Sequence, residues 1–229
     1  MRPYSSAFAV AAMAILPGIA LAQGDANRTV TGGGITAPGW MGMVDPGSPD
    51  PISGSKFSKM GDMYMVTTGP ASTYWNPANK ASGDYTVKAT FTEPKFQNLN
   101  SHPHPYGLVI GGNDMGTAAA TYLYCAVNGN GTFIVRGFGP AAFQMNGGRG
   151  GAAESIHKAA AKGESVTNEM AMSVKGDKVT CSINGKEIAS YDKSAITGAG
   201  HLKSSDGVYG VRFAHNTEGS VNGLTVTKP

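Results

Sequence analysis

The stretch DYTVKATFT, residues 84–92, sets Tyr85, Val87, Ala89 and Phe91 against Asp84, Thr86, Lys88 and Thr90 in strict alternation. A period of two is the signature of an extended strand with one face buried and the other in water. Segments of the same kind recur along the chain: MYMVTTG, STYWN, YGLVIGG, TYLYCAVNG, TFIVRGF, NEMAMSVKGD, KVTCSING, KEIASYD, VYGVRFAHN and NGLTVTK. Turn-forming Gly, Asn and Asp separate most of them, so successive strands join through short turns into antiparallel sheets. Three junctions read as hairpins: NGNG between Val127 and Thr132, KGDK between Val174 and Val179, and Asn184-Gly185, where the pair supplies the positive φ angles of a tight type I′ turn. TYLYCAV, residues 121–127, is apolar on both faces, which places it mid-sheet and covered on each side, as when two sheets stack.

The expected fold is therefore all-β, a two-sheet antiparallel sandwich. One short helix is expected in a surface loop, over AAESIHKAAAKG from Ala152 to Gly163, because its alanines and lysines favour helix and Gly163 can stop it. Residues 1–22, with Arg2, an apolar run from Ala7 to Ile19 and Ala20-Leu21-Ala22, read as a secretory signal, so the chain is expected to be exported to the periplasm or beyond. Residues 23–56 are rich in Gly, Pro, Thr and Asp without sustained periodicity and are expected to be an irregular segment packed on or leading into the domain. The sandwich itself is assigned to 57–229, one domain. No segment after the signal is apolar for long enough to span a bilayer. The net charge is only +3, with cations scattered singly among acids, which argues against a nucleic-acid partner. Cys125 and Cys181 both fall in strands of an exported chain; they form either a disulfide or two separately buried thiols.

The order of segments GDYTVKATFTEP, HPYGLVIGG, TYLYCAVNGNGTFIVRGF, VTNEMAMSVKGDKVTCSINGKEIASY, DGVYGVRFAHN and VNGLTVTK resembles the concanavalin A-like lectin/glucanase superfamily. Within it the likeness is to the bacterial exported branch related to laminin G-like domains and to the 3-keto-disaccharide hydrolase domain, over roughly Phe57 to Lys228. The resemblance implies a jelly roll with ligands on the concave face or its rim. Lectins, glucanases and adhesion modules share that fold, so the fold alone selects no function. The E-x-D-x-x-E strand motif of the glucanases is missing here, and Glu164 and Glu169 are its nearest approach.

The residues that can carry chemistry are few. His102 and His104, each before a proline, lie on one side of an extended lead-in to YGLVIGG, and His215 stands near the end of VYGVRFAHN; these three are the catalytic candidates. His102, His104 and Asp114 are the candidates for a calcium or transition-metal site, against a plain strand start and a turn. Met63 and Met65 suggest copper through their thioethers or, more simply, core packing. Arg136 and Arg212 are mid-strand cations on the opposite parity from Phe133 and Phe213, fitted either to hydroxyl or carboxylate recognition or to an ion pair with an acid such as Asp84 or Asp206. Trp75, and also Trp40, could stack on a sugar ring or be buried in the core. Tyr106 offers a phenol beside the histidines.

The leading reading is an exported carbohydrate-binding domain for a glycan or small carbohydrate, with contacts from Trp75, Tyr106, His104, Arg136, Arg212 and His215. The alternatives are a secreted hydrolase of a glycoside or 3-keto-disaccharide, a structural or adhesion module, and a metal-binding periplasmic protein.

Overall fold

The computed structural model describes residues 26–97, 104–147 and 150–229. The segment read as a signal, and His102, lie outside the described residues. The strands begin with β1 (Gly34–Ile35), β2 (Met41–Val44), β3 (Lys56–Met60), β4 (Met63–Thr67), β5 (Ser72–Ala81) and β6 (Tyr85–Glu93). They continue with β7 (Tyr106–Asn113), β8 (Thr121–Val127), β9 (Thr132–Phe138), β10 (Ala142–Gln144) and β11 (Gly151–Ala152). The last five are β12 (Val166–Lys175), β13 (Lys178–Ile183), β14 (Lys186–Asp192), β15 (Gly207–Phe213) and β16 (Glu218–Thr227).

Two sheets stack as a sandwich. Sheet one runs β1-β3-β4-β16-β6-β12-β13-β14, and sheet two runs β10-β9-β8-β7-β15-β5-β2, with β11 also on β9. Every pairing is antiparallel except the short β1–β3 contact. The three hairpins form where their residues placed them, and Asn184 and Gly185 take φ of 49° and 78°, the left-handed pair that a type I′ turn demands.

Alternation decides what enters the core. Tyr85, Val87, Ala89 and Phe91 of β6 point inward and meet Tyr106, Leu108 and Ile110 of β7 and Val211 and Phe213 of β15. Phe57 of sheet one stacks on Tyr74 of sheet two with centroids 4.4 Å apart, and Trp40 packs against Phe57 and Tyr64. Each such ring contributes about 1.5–3 kcal/mol by leaving water. Cys125 of β8 and Cys181 of β13 are joined by a disulfide that ties sheet two to sheet one across this core.

Two local expectations are corrected. Among the described residues the one α-helix is α1, Lys193–Ile196, and not the Ala152–Gly163 stretch. That stretch starts in β11 and then spends its backbone on distant partners: Asn168 binds both the N–H and the C=O of His157, Ala159 N–H donates to Gly129 and Gly163 N–H to Phe96. The described part of the 23–56 segment, from residue 26, also holds more order than expected, with β1 and β2 within it and Trp40 buried.

Candidate functional site

The outward faces of the two sheets differ in kind. Sheet one turns out threonine, serine and lysine: Lys88 pairs with Glu169, Thr86 bonds Ser173 and Thr92 bonds Thr167. Sheet two turns out aromatic rings. The ladder aligns Arg136, Tyr124, Val109, Gly210, Trp75 and Met41 in one row across five pairings. The adjacent outward row is Ile134, Ala126, Gly107, Arg212, Thr73 and Met43, and Phe138 stands opposite Tyr122.

Tyr122 and Phe138 have centroids 5.1 Å apart, with Tyr124 6.4 Å from Tyr122 and 6.3 Å from Phe138. Together with Val109 and Ala126 they form a second apolar cluster, separate from the main core, against which Met43, Met115 and Ile134 pack. The Thr73 hydroxyl bonds the Tyr122 phenol at 3.2 Å, fixing that ring.

Two cations lie on this floor. The guanidinium of Arg212 stands 4.5 Å over the Tyr124 ring, and that of Arg136 stands 5.6 Å over Phe138. Arg212 is buried and donates through Nη2 to Asp45, while its Nε has no acceptor. Burial works against the charge on Arg212, but Asp45, with Tyr124 and Tyr122, outweighs it and leaves the guanidinium more firmly protonated than an exposed one. Burial first, and the Asp45 charge second, push the Tyr122 phenol above its ordinary range, so it stays neutral. Arg136 is half-buried and makes no ion pair among the described residues.

At one end of the face a hollow of about 390 Å³ opens beside Trp75, lined also by Met41, Lys80, Asn113, Asp114 and Met115. Asp114 takes a positive φ of 52° in the turn after β7 and pairs with Lys203.

The sequence-derived candidates divide between two regions. Trp75, Arg136 and Arg212 share the outward face of sheet two. His104 and His215 stack together, centroids 4.4 Å apart, at the end of the sandwich where β7 begins and β15 ends. There a ring nitrogen of His104 lies 2.7 Å from the His215 carbonyl, and His215 meets the Asn27 side chain at 3.1 Å. Tyr106 is not at a rim: sharing parity with Leu108 and Ile110, it points between the sheets, 1 % exposed, against Phe91 and Phe213. Trp40 is likewise a core residue. His104 and Asp114 flank opposite ends of β7, too far apart to share an ion, and no group of three His, Cys, Asp or Glu able to hold a metal occurs among the described residues. Met63 and Met65 do not fill the core; Tyr64 and Val66 take the inward positions of β4. The acid that meets Arg212 is Asp45, whereas Asp84 and Asp206 accept backbone N–H groups of Gly176 and Gly83.

Sequence reasoning passed over Tyr122, Tyr124, Phe138, Asp45 and Gln144. For the two tyrosines a signal existed. TYLYCAV is apolar on both faces and all seven residues are buried, but a sandwich covers only one face of each sheet. Its second apolar face lies buried beneath Met43, Met115 and Ile134 and supports the site from below.

With this geometry in view, comparison with solved structures finds the same architecture. A glycoside hydrolase family 16 endo-glucanase from Bacteroides ovatus, in complex with G4G3G-2F-DNP, matches 82 % of this chain and 94 % of its own at 13 % identity, with a TM-score of 0.52. An endo-beta-1,3-glucanase from Pyrococcus furiosus matches 86 % of this chain and 91 % of its own at 12 % identity, with a TM-score of 0.51. The fold is the two-sheet jelly roll. No protein-family model and no curated protein matches the sequence.

Proposed function

We propose that this chain is an exported carbohydrate-binding domain whose ligand lies across the outward face of sheet two and into the hollow beside Trp75. The observation that carries the reading is the collection of Tyr122, Tyr124, Phe138 and Trp75 on one face with two arginines set among them. The four rings are themselves buried and form a rigid bed; over it the half-buried Met43, Met115 and Ile134 offer apolar surface to the CH faces of a sugar, and the half-buried Arg136 offers a guanidinium to its hydroxyl edges. The two proteins matched in fold are glucanases, which makes a saccharide the natural ligand class to test. Export is supported by the Cys125–Cys181 bridge, since such bonds persist in oxidising compartments.

Binding is favoured over hydrolysis by the chemistry of the face. Glycoside cleavage by the usual route needs two carboxyl groups about 5–9.5 Å apart across the scissile bond. The strands of sheet two carry Lys80, Arg136 and Arg212 but no aspartate or glutamate.

The test is a glycan array followed by calorimetry on three variants. Trp75→Ala is expected to weaken binding about tenfold, equivalent to ~1.4 kcal/mol. Ile134→Glu, which places a charge on the half-buried margin of the floor, is expected to abolish binding. Thr225→Glu, on the outward face of sheet one, should leave it unchanged. Retained affinity in both sheet-two variants would refute this location.

A further inference from the structure

We infer that the ligand is an acidic saccharide, and that its carboxylate is received by Arg136 with the amide of Gln144. This rests on the carbohydrate reading above and narrows it to a substrate class.

The first observation is how charge is divided between the sheets. Strand acids Glu93, Glu169, Glu187, Asp192 and Glu218 all belong to sheet one, where six lysines accompany them, whereas the strands of sheet two carry Lys80, Arg136 and Arg212 with no acid to offset them. A face for neutral sugars has no need of that division. The second observation is the state of the donors on the floor. Arg212 is neutralised by Asp45 and retains a buried Nε without an acceptor, a donor fit for a hydroxyl. Arg136 has no carboxylate partner among the described residues and lies against Phe138, partly open to solvent. Directly opposite it in the β9–β10 ladder is Gln144, whose Nε2 is buried and also lacks an acceptor.

An unpaired guanidinium fork and an unpaired amide side by side on one face ask for a planar acceptor with two oxygens, which a carboxylate provides in bidentate form. The buried Phe138 ring beneath them supports the Arg136 guanidinium, and the half-buried Ile134 beside it offers apolar surface to the pyranose ring that bears the carboxylate. Lys80 and the Lys203–Asp114 pair at the hollow add one net positive charge to that end of the face, so a chain of several acidic residues meets a favourable potential along its length. The two acids near the site, Asp45 and Asp114, are each already engaged by a cation.

The experiment titrates the full exported chain by calorimetry with tetragalacturonate and with the neutral tetrasaccharides of cellulose and laminarin, at low and at moderate salt. The expected result is preference for the uronate by at least tenfold, an affinity that falls as salt rises, and loss of that preference in Arg136→Gln. Arg136→Lys, which keeps the charge but not the fork, should fall between, and circular dichroism verifies that each variant is folded. Binding of the neutral saccharides alone, or uronate binding indifferent to Arg136→Gln, would overturn this inference and leave the carbohydrate reading standing. Binding to no saccharide on the array would remove both.

Discussion

Glu93 shows how far a strand's period can carry a side chain that does not suit its surroundings. It is the fifth inward position of β6, so the alternation that buries Tyr85, Val87, Ala89 and Phe91 also takes a carboxyl between the sheets, where it is 3 % exposed. The Gln97 N–H donates to its Oε1 at 3.4 Å, and Oε2 has no partner. Burial outweighs that one bond and raises the carboxyl to about 7. The group facing it is the Tyr106 phenol, itself held neutral by burial first and by the Glu93 charge second. An acid with a raised folded pKa binds its proton more tightly folded than unfolded. Its contribution is therefore complete below about 4.5 and is lost as pH climbs through about 7. Urea denaturation is expected to give lower stability at pH 8 than at pH 4 by about 3 kcal/mol from this group. Glu93→Gln should flatten that difference and be the more stable protein at pH 8; parallel pH profiles for the two proteins would assign the effect elsewhere.

At the scale of elements, the segment from Ala152 to Gly163 shows where sequence and structure part company. Alanine and lysine favour helix by at most about 0.7 kcal/mol per residue over other ordinary residues. Against that stand the bonds of His157, Ala159 and Gly163 to other elements, the Asn184 amide donating to Ser155, and Ile156 at 2 % exposure in the main core. Ile156→Ala is expected to cost about 2–5 kcal/mol in chemical denaturation, as a core deletion does, whereas an isoleucine on a detached surface helix would cost far less. The strands were legible because alternation is a local property, read within eight or nine residues. β2 was not, because MGMV is a short edge strand whose order comes from β5, beginning 28 residues later. The site divides along the same line. Parity alone put Arg136 and Arg212 on the outward face. Parity with Leu108 and Ile110 likewise puts Tyr106 inside, although it stands beside the histidines in sequence. Asp45 reaches Arg212 across 167 residues, a meeting that only the folded chain reveals.

For the whole molecule, the Cys125–Cys181 bridge closes a loop with a sequence separation of 56 and fastens the strand beneath the aromatic floor to the opposite sheet. Replacing both cysteines with alanine is expected to lower stability by about 4 kcal/mol on the chain-entropy argument, measured in guanidinium against the oxidised protein. The same loss should follow reduction of the wild type, and a much smaller one would mean that the reduced, unfolded chain is itself compact. The strand order holds a further consequence. β16, the last strand in the sequence, does not sit at an edge; it lies between β4 and β6 in the middle of sheet one. A chain delivered N-terminus first would hold two unfinished sheet fragments with a gap between them until Glu218–Thr227 arrives. Both strands bordering the gap would expose unpaired backbone in the meantime. Folding of this domain thus ends with the insertion of a keystone strand, and the interval before that insertion is when the chain most needs shelter from its neighbours.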